Sequence, residues 1–546
     1  MKTSDLVFKA SDKYQKLAST PVAFFCLEYG LDDDSSMYAG GLGVLAGDYL
    51  MEAADQGLPI VALGLKYGAH DESSKHFCER YQLLETETSP LLVEVPIAHE
   101  IVKARVWVRS FGTSVSLLLL DTNIPENESS RIQDITSHLY DPDFYTRLKQ
   151  QILLGVGGIR LLRQLELKPS VYHLNEGHTS MAVLGLMGEA GSNESVGAAS
   201  TELAKAVATK HTIFSAAGLL VTLKDFTEFL GPYCQSRGLD LLAVFEQGRF
   251  ELAADTFSTT RFLMTTVERQ NGVSVLHTVF EKKRHSDSRL QPITNGVYAP
   301  RWQAATIKNV SNVADLGAVK RKLRGALIDF VRLETGVSLN PEICTIVWAR
   351  RFASYKRPLL IFSDLDRLSK IVNDPTRPVQ IIVSGKAHEA DDQGQEIIRR
   401  IKDYVGRPDL RDRVVYLPKY SLSSAKFLVQ GADIWLNTPE RGKEACGTSG
   451  MKAALNGALQ ASVSDGWVDE VDWSERGWIL PEAELEHRIY DILTDEILPL
   501  FYASSGAGES VIGWAERMRR TVDLVQNNYL AGRMLEDYVV KLYNLN

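Results

Sequence analysis

A glycine-rich turn in the last quarter of the chain carries the residue types best suited to chemistry. The turn Gly-Thr-Ser-Gly at 447–450 follows an apolar run at 432–437 and precedes good helix formers at 451–455. Small residues let backbone N–H groups approach an anion, and the first helical turn leaves such donors unpaired. The pattern therefore predicts an anion site. Lys452 stands one turn into the helix, and spacing alone leaves it as a solvated cation, a phosphate ligand or an amine that forms a Schiff base.

Basic residues follow two further predicted strands. Arg350, Arg351 and Lys356 come after the apolar run 344–349, and Lys386 comes after the run 379–384. Ligands bind at the carboxyl edge of an open α/β sheet, and clustered cations are unusual in an acidic protein. We therefore expect these cations to face the turn at 447–450 and to form a site for more than one phosphate.

The first half of the chain carries a second glycine-rich turn and polar strand ends. Residues 38–48 contain a Gly-Gly-x-Gly turn that opens a helical pattern, which is typical either of a ligand loop or of a tight turn alone. Polar groups stand at the ends of two further predicted strands: His173, Asn175, Glu176, His178 and His211. A lone histidine is more often structural, but the clustering favours a ligand site.

These groups must be positioned by alternating strands and helices. Apolar strands are predicted at 22–27, 60–65, 344–349, 379–384, 414–417, 432–436 and 458–463, a β-meander at 92–120, and helices at 145–164, 392–404 and 421–430. The fold class is therefore α/β, with two Rossmann-like doubly wound domains facing each other across a cleft. Asn-Gly turns are predicted at 271–272 and 295–296, the second as a hinge. We expect an N-terminal domain at 1–298, a C-terminal domain at 299–505, and helices at 506–546 that cross back to the first domain.

Composition excludes several classes of protein. A chain of 546 residues is too long for one core, and a formal net charge of -9 argues against a nucleic-acid binder. The absence of an N-terminal apolar region and of a membrane-length apolar run predicts a cytoplasmic protein with no membrane partner. The five cysteines are scattered without a Cys-x-x-Cys pair, so we expect no disulfides and no metal site. Cys446, in the turn, is a candidate reactive thiol.

Seven motifs in order resemble the α-glucan phosphorylase family, which includes the glycogen, starch and maltodextrin phosphorylases, and most closely its short prokaryotic branch. They span about residues 22–470 and lie at 38–48, 174–178, 271–274, 293–297, 349–357, 385–388 and 435–457. Seven ordered motifs are a far more specific signal than any one of them. The resemblance implies a GT-B glycosyltransferase fold with an active site between the two domains.

The resemblance also implies a cofactor and a reaction. Pyridoxal 5′-phosphate would be held as a Schiff base by Lys452, and a glucosyl unit would move with retention between an α-1,4-glucan, or another saccharide, and inorganic phosphate, giving glucose 1-phosphate. The cofactor phosphate would be held by Gly447, Thr448, Ser449 and Arg350. Catalysis would use Arg351, Lys356 and His211, and the substrates would contact Gly40, Gly41, Leu42, Asn271, Glu444 and His178. Family members often form homodimers, although no interface signal is read from this sequence.

Three stretches depart from the family pattern. After His211 the family continues Thr-Pro-x-Pro-Ala-Gly-His, whereas residues 212–219 lack both prolines, so we expect a reshaped loop beside the sugar site. The family's Glu-Asn-Tyr is Pro-Lys-Tyr at 418–420, which removes a carboxylate and an amide near the cofactor. The family's Asn-Gly-Val-His at the hinge ends here in Tyr298.

Three functions remain open from the sequence. The first is a phosphorylase that uses pyridoxal phosphate. The second is a retaining glycosyltransferase of the same architecture with a nucleotide-sugar donor, which would not need Lys452, so cofactor content separates the two. The third is a non-catalytic carbohydrate-binding descendant, and the retained cation cluster argues against it.

Overall fold

The chain divides into two compact units. The computed structural model describes residues 1–34, 36–68, 79–189, 201–213, 218–284, 288–387, 391–418, 420–503 and 513–545. Unit 1 contains Met1–Val273, Thr278–Ile293 and Leu535–Asn546, and unit 2 contains Ser274–His277 and Thr294–Met534. The domain boundaries expected at 298 and 505 stay predictions.

Unit 1 is built on a mixed sheet with a parallel centre. Its strands are β1 Val22–Phe25, β2 Ile60–Leu65, β3 Gln82–Leu83, β4 Leu92–Ile97, β5 Glu100–Phe111, β6 Val115–Asp121, β7 Val171–Asn175, β8 Ala206–Lys210, β9 Leu220–Thr222, β10 Arg249–Phe250, β11 Ala253–Ser258, β12 Arg269–Gly272 and β13 Leu290–Pro292. The order β13-β12-β8-β7-β1-β2-β6 is parallel throughout. The meander β4-β5-β6 extends it with antiparallel pairs, and β9, β10 and β11 form a separate small sheet.

The strand order of unit 1 reverses beside β1. From β1 the chain adds β2 and β6 on one side, and β7, β8, β12 and β13 on the other. Such a reversal leaves a crevice at the carboxyl ends of the two central strands, which is where open α/β sheets bind ligands. The ends of β1 and β7 are therefore the place to look for a site in unit 1.

The helices connect these strands. They are α1 Gly41–Gln56, α2 Ser130–Gln133, α3 Phe144–Ile152, α4 Gly158–Gln164, α5 Met181–Gly188, α6 Leu223–Ser236, α7 Leu241–Gly248, α8 Thr259–Thr266 and α9 Val275–Arg284 in the first half. The second half has α10 Ala299–Trp302, α11 Ala305–Lys308, α12 Val313–Thr335, α13 Leu365–Val372, α14 Asp392–Val405, α15 Leu422–Gly431, α16 Thr448–Ala454, α17 Leu485–Ile492, α18 Leu498–Ala503, α19 Trp514–Asn528 and α20 Ala531–Asp537. Among the described residues, none of the helices is both long and apolar enough to cross a membrane.

Unit 2 is a fully parallel, doubly wound domain. Its strands are β14 Cys344–Ala349, β15 Val379–Ser384, β16 Val414–Leu417, β17 Ile434–Asn437, β18 Leu459–Val463 and β19 Gly477–Leu480, in the order β16-β15-β14-β17-β18-β19. Strands β14 and β15 are buried along their whole length, as expected for a sheet covered on both faces. The order reverses between β14 and β17, so the ligand crevice of unit 2 is expected there.

The predicted α/β fold class is confirmed, with three differences of detail. Asn271 and Gly272 were expected in a turn, but they end β12, which is held between β8 and β13. Strand β19 has no counterpart among the predicted strands. The helix expected at 145–164 is interrupted by a π-helical turn at Leu153–Gly157, and a methyl group at Gly155 would lie 2.3 Å from the backbone of Met181.

Candidate active site

Three strands of unit 2 hold Arg350 between β14 and β17, where the strand order reverses. Arg350 follows β14, and its guanidinium donates to Asn437 Oδ1 at the end of β17. Asn437 Nδ2 in turn donates to Ser462 Oγ in β18 over 2.9 Å. Gly385 follows β15, where a methyl group would lie 2.0 Å from the Arg350 carbonyl oxygen. The sheet itself thus fixes the position of this buried cation.

Glu444 bridges two of the predicted cations. Its Oε1 accepts from Arg350 Nη2 over 3.0 Å, and its Oε2 lies 3.3 Å from Lys356 Nζ. Burial opposes ionisation of Glu444, but the charges of Arg350 and Lys356 outweigh it and hold its pKa below the usual range. Glu444 is therefore ionised at neutral pH.

The cations outnumber this carboxylate. Arg350, Lys356 and the exposed Arg351 act on Glu444 electrostatically. Burial, followed by the charges of Arg350 and Arg351, lowers the pKa of Lys356 to about 8, while Glu444 opposes the decrease. Burial is the largest cause of this decrease. The net positive environment follows instead from the three cations that surround the Glu444 carboxylate. That environment favours an additional anion.

Helix α16 begins against this cluster. Gly447 is its N-cap residue and no side chain caps the helix. A methyl group at Gly447 would lie 2.7 Å from Glu444 Oε1 and 3.1 Å from Arg350 Nη2, so only glycine leaves the turn room there. Thr448 is buried and Ser449 is half-buried. Backbone donors and cations therefore converge at one end of a short helix.

Lys452 is buried one turn along α16. Its Nζ lies 4.1 Å from the centroid of the Trp302 ring, and the side chain is 6% exposed. Asn456 fixes the end of this helix: its Nδ2 donates to the carbonyl oxygens of Lys452 and Trp302, both over 2.9 Å, and its Oδ1 accepts from the N–H of Ala304 over 2.8 Å. The solvated-cation alternative for Lys452 is thus wrong, because the amine is removed from bulk water.

In unit 1, Glu176 organises the ends of β7 and β8. Its Oε1 accepts from the N–H of Gly177, and its Oε2 accepts from the N–H of His211 and the hydroxyl of Thr212, each over 2.9 Å. Although burial opposes it, the pKa of Glu176 is lowered, chiefly by His211. Glu176 has a backbone φ of +79°, a strained value for a residue other than glycine.

Two of the three predicted histidines of unit 1, His178 and His211, have different partners. His211 Nε2 lies 2.7 Å from Asn175 Oδ1, which makes Nε2 the protonated nitrogen. His178 Nε2 accepts from the N–H of Leu27, just beyond β1, over 3.2 Å. Burial lowers the pKa of both histidines to about 4. Both rings are therefore neutral at pH 7, and His178 holds the end of β1.

Asn271 ends a buried chain of hydrogen bonds. Its Oδ1 accepts from the Thr209 hydroxyl over 2.6 Å, and Thr209 is 2.7 Å from His173 Nε2. His173 Nδ1 lies 2.7 Å from the Tyr543 hydroxyl, which is 2.7 Å from that of Tyr49. Since Thr209 donates to Asn271, it accepts from His173, and His173 then accepts from Tyr543. The whole chain is oriented.

The glycine turn of unit 1 is held by a buried carboxylate. Glu28 Oε2 accepts from the N–H of Ala39 over 2.7 Å and of Gly40 over 3.2 Å. Gly40 is the N-cap of α1 and no side chain caps it. A methyl group at Gly40 or Gly41 would meet nothing within 4 Å, so packing does not require either glycine. Gly41 is exposed and Leu42 half-buried, which leaves this end of α1 open to a ligand.

Comparisons with known proteins agree with this arrangement. The family model described as carbohydrate phosphorylase matches residues 303–475, which include all the unit 2 site residues except Trp302. Glycogen phosphorylase of Mycobacterium tuberculosis is 33% identical, covering 96% of this chain and 71% of the relative. Maltodextrin phosphorylase of Thermococcus litoralis is 33% identical, covering 96% of this chain and 70% of the relative. Glycogen phosphorylase of Aquifex aeolicus is 31% identical, covering 97% of this chain and 87% of the relative.

The chain belongs to the carbohydrate phosphorylase family. The suspected family is thereby confirmed, and its GT-B fold agrees with the parallel sheets seen here.

The residues of this phosphorylase fit pyridoxal phosphate. One buried polar atom at the cation cluster, Arg350 Nε, has no hydrogen-bond partner among the described residues. The cluster has surplus positive charge, the glycine at 447 leaves room, and Lys452 supplies a buried amine in the same helix. Among the described residues, no three His, Cys, Asp or Glu side chains are grouped as metal ligands.

Some sequence expectations change or lie outside the described part of the phosphorylase. Burial raises the pKa of Cys446 far above its usual value, so the reactive-thiol hypothesis is not supported. His388, Lys419 and residues 214–217 lie outside the described residues. No role is predicted from the sequence for Trp302, Asn437 or Asp465. Trp302 directly precedes the matched region and could have been noticed as an aromatic residue beside the hinge.

Proposed function

We propose that this chain is an α-glucan phosphorylase that uses pyridoxal 5′-phosphate and transfers a glucosyl unit, with retention, between an α-1,4-glucan and phosphate. The observation that carries the proposal is the surplus of positive charge that the buried Arg350 and Lys356 and the exposed Arg351 form around the carboxylate of Glu444. The names of the relatives, glycogen and maltodextrin phosphorylase, support the substrate class.

Phosphorolysis with this cofactor brings two phosphates together. Two unit charges ~5 Å apart repel by ~3 kcal/mol at an effective dielectric of ~20, and multiply charged phosphates repel by several times that. Arg351 and Lys356 would bind the substrate phosphate, and Arg350 would support the cofactor phosphate. Clustered cations are what can offset such repulsion.

The cofactor would be held by α16 and the residues around it. Lys452 would anchor it, and the N–H groups at Gly447, Thr448 and Ser449 would hold its phosphate. When bound, pyridoxal phosphate supplies a phosphate group that donates and accepts a proton during glucosyl transfer. Trp302 covers the Lys452 amine and excludes water from it.

The sugar and its leaving group would be oriented by neutral donors and acceptors and by one carboxylate. His211 donates from Nε2 to Asn175, and because the ring is neutral at pH 7 its unprotonated Nδ1 can accept from a sugar hydroxyl. Asn271 and Glu444 supply amide and carboxylate groups, and the backbone at Gly41 would help to bind phosphate. His178, Gly40 and Leu42 would complete the substrate contacts.

A homodimer and a cytoplasmic location remain proposals taken from the resemblance and the composition.

A phosphorolysis assay tests the proposal. Purified protein saturated with pyridoxal phosphate is incubated with maltoheptaose and inorganic phosphate, and the product is followed by ³¹P and ¹H NMR. We expect α-glucose 1-phosphate, whose anomeric proton reports retention. Lys452→Ala should lower the rate by at least about 10³-fold, whereas Lys426→Ala, an exposed lysine of α15, should leave it unchanged. Cofactor-loaded wild-type protein that forms no sugar phosphate would contradict the proposal.

A further inference from the structure

The loop that carries Glu444 is fixed by a buried carboxylate from the next strand. Asp465 follows β18, and its Oδ2 accepts from the N–H of Gly442 over 3.0 Å and of Glu444 over 2.9 Å. Its Oδ1 accepts from the N–H of Gly466 over 2.9 Å. Asp465 is 3% exposed, so these three backbone donors replace the water that its carboxylate gives up on burial.

The backbone beside Asp465 also packs against this loop. Gly466 has a φ of +57°, and a methyl group there would lie 3.1 Å from Cys446 Cα and 3.2 Å from the Ala445 carbonyl oxygen. Arg441, in the same loop, donates to Asp469 over 2.9 Å. The segment 465–469 therefore contacts the loop 441–446 at three separate points. We name this contact the loop clamp.

The loop clamp fixes Glu444, whose carboxylate offsets part of the positive charge of the cation cluster. Glu444 is bound from its backbone side by Asp465 and from its side-chain side by Arg350 and Lys356. A shift of the loop would move the Glu444 carboxylate relative to both cations. A displacement of about 1 Å in such a group can lower a rate about 10²-fold.

We propose that Asp465 is a positioning residue for the transfer reaction, because its carboxylate holds the backbone of Glu444 in place. This inference rests on the proposed function of the cation cluster. Because Asp465 lies between the strand end and the loop, it can affect the binding of phosphate and sugar without contacting either. A purely structural Asp465 would support the fold of unit 2 and leave substrate handling unchanged.

The charges around Asp465 predict how the loop clamp responds to pH. Burial raises the pKa of Asp465 to about 6; its backbone hydrogen bonds oppose that rise, and the Glu444 carboxylate adds to it. Arg350 and Lys356 pair with Glu444, and Arg441 pairs with Asp469. Asp465 therefore becomes protonated as pH falls through about 6, and the three N–H groups then lose their charged acceptor.

The test is the Asp465→Asn variant of the full chain loaded with cofactor, because an amide cannot accept from all three donors. The matched control is Asp472→Asn, an exposed carboxylate three residues beyond that segment, which accepts from the N–H of Ser474. We expect kcat/KM for phosphate in the phosphorolysis of maltoheptaose to fall about 10²-fold in Asp465→Asn. We also expect its decline between pH 7 and pH 5.5 to be flatter than in wild type. The control should match wild type in both respects.

Two further measurements separate positioning from folding. In a double-mutant cycle, Asp465→Asn should have less than a threefold effect on kcat/KM in a Glu444→Gln background, because the positioned group is already changed. Gly466→Ala disturbs the loop clamp at a different atom and should lower kcat/KM in the same direction. Wild-type kcat/KM in Asp465→Asn, or equal effects of Asp465→Asn with and without Glu444, would overturn the inference. Wild-type protein without any phosphorolysis would instead overturn the proposed function.

Discussion

At the scale of the residue, the central feature is Lys356, whose pKa is set by opposing effects. Burial and the neighbouring guanidinium of Arg350 lower the pKa of Lys356 to about 8, and Glu444 limits the decrease. Lys356 is thus protonated at pH 7 but close to its titration range. Because we propose that it binds the substrate phosphate, its charge state sets the affinity for phosphate.

Phosphate binding should therefore weaken in alkaline solution. Below pH 8, Lys356 is protonated and its charge contributes fully; as pH rises through 8, that charge is lost, so the Kd for phosphate should rise by up to about tenfold per pH unit between pH 8 and 9.5. Isothermal titration calorimetry of the protein measures this. Lys356→Arg keeps its charge over the whole range and should flatten the dependence. The same alkaline weakening in Lys356→Arg would show that another group is responsible.

Sequence reasoning found the charged residues of the site because they follow apolar strands. Arg350 comes directly after β14 and Lys356 follows seven residues beyond the strand end, and their type and position indicate phosphate. The residues that hold them could not be found in this way. Asp465 and Asn437 act through partners far along the chain, and a single polar residue at a strand end gives no sign of which backbone groups it will accept from or donate to.

At the scale of the element, α16 is short and depends on its surroundings. A helix of seven residues is not stable by itself, so its ends must be held by other parts of unit 2. Asn456 holds one end through Lys452, Trp302 and Ala304. Lys320 of α12 adds a donor to the Asn456 carbonyl oxygen over 2.9 Å. The position of Lys452 therefore depends on these contacts more than on helix propensity.

Asn456→Ala should destabilise unit 2. Asn456 is fully buried, and its removal leaves the carbonyl oxygens of Lys452 and Trp302 and the N–H of Ala304 without this partner, so we expect a loss of about 2–4 kcal/mol in the free energy of unfolding. Urea unfolding followed by tryptophan fluorescence measures it. Asn309→Ala, at an exposed asparagine directly after α11, is the matched control and should change the free energy by less than about 0.5 kcal/mol. Equal effects of the two variants would contradict the account.

Most of the elements could be predicted from apolar runs, and the misses have physical causes. Strands such as β14 and β15 are long and uniformly buried, which makes them readable. Asn271 and Gly272 have turn-type residues but lie in β12, because hydrogen bonding to β8 and β13 outweighs local preference. The π-helical turn at Leu153–Gly157 depends on close packing against α5, which no local pattern reveals.

At the scale of the whole molecule, the last residues of the chain belong to its first unit. Residues Leu535–Asn546 are part of unit 1, and Tyr543 places its hydroxyl between His173 of β7 and Tyr49 of α1. Burial lowers the pKa of His173 to about 3, so the ring stays neutral and accepts from Tyr543. The chain terminus thus completes a hydrogen-bond chain that ends at Asn271.

Tyr543→Phe should destabilise unit 1 by about 1–3 kcal/mol, since it leaves His173 Nδ1 without its donor and Tyr49 without its acceptor. Hydrogen exchange of the β7 and β8 amides, read by mass spectrometry, should become faster. Tyr145→Phe removes a hydroxyl from an exposed tyrosine and serves as the control. Unchanged protection in Tyr543→Phe would show that the hydroxyl contributes nothing to this unit.

The measurement that tests the central claim most directly is borohydride reduction of the purified protein after incubation with pyridoxal phosphate, followed by peptide mass mapping. We predict one pyridoxyl adduct, on Lys452, together with a near-UV absorbance band that is lost in Lys452→Ala. An adduct confined to other lysines, or a protein that cannot be loaded with pyridoxal phosphate, would contradict the assignment of Lys452 and with it the proposed phosphorylase chemistry.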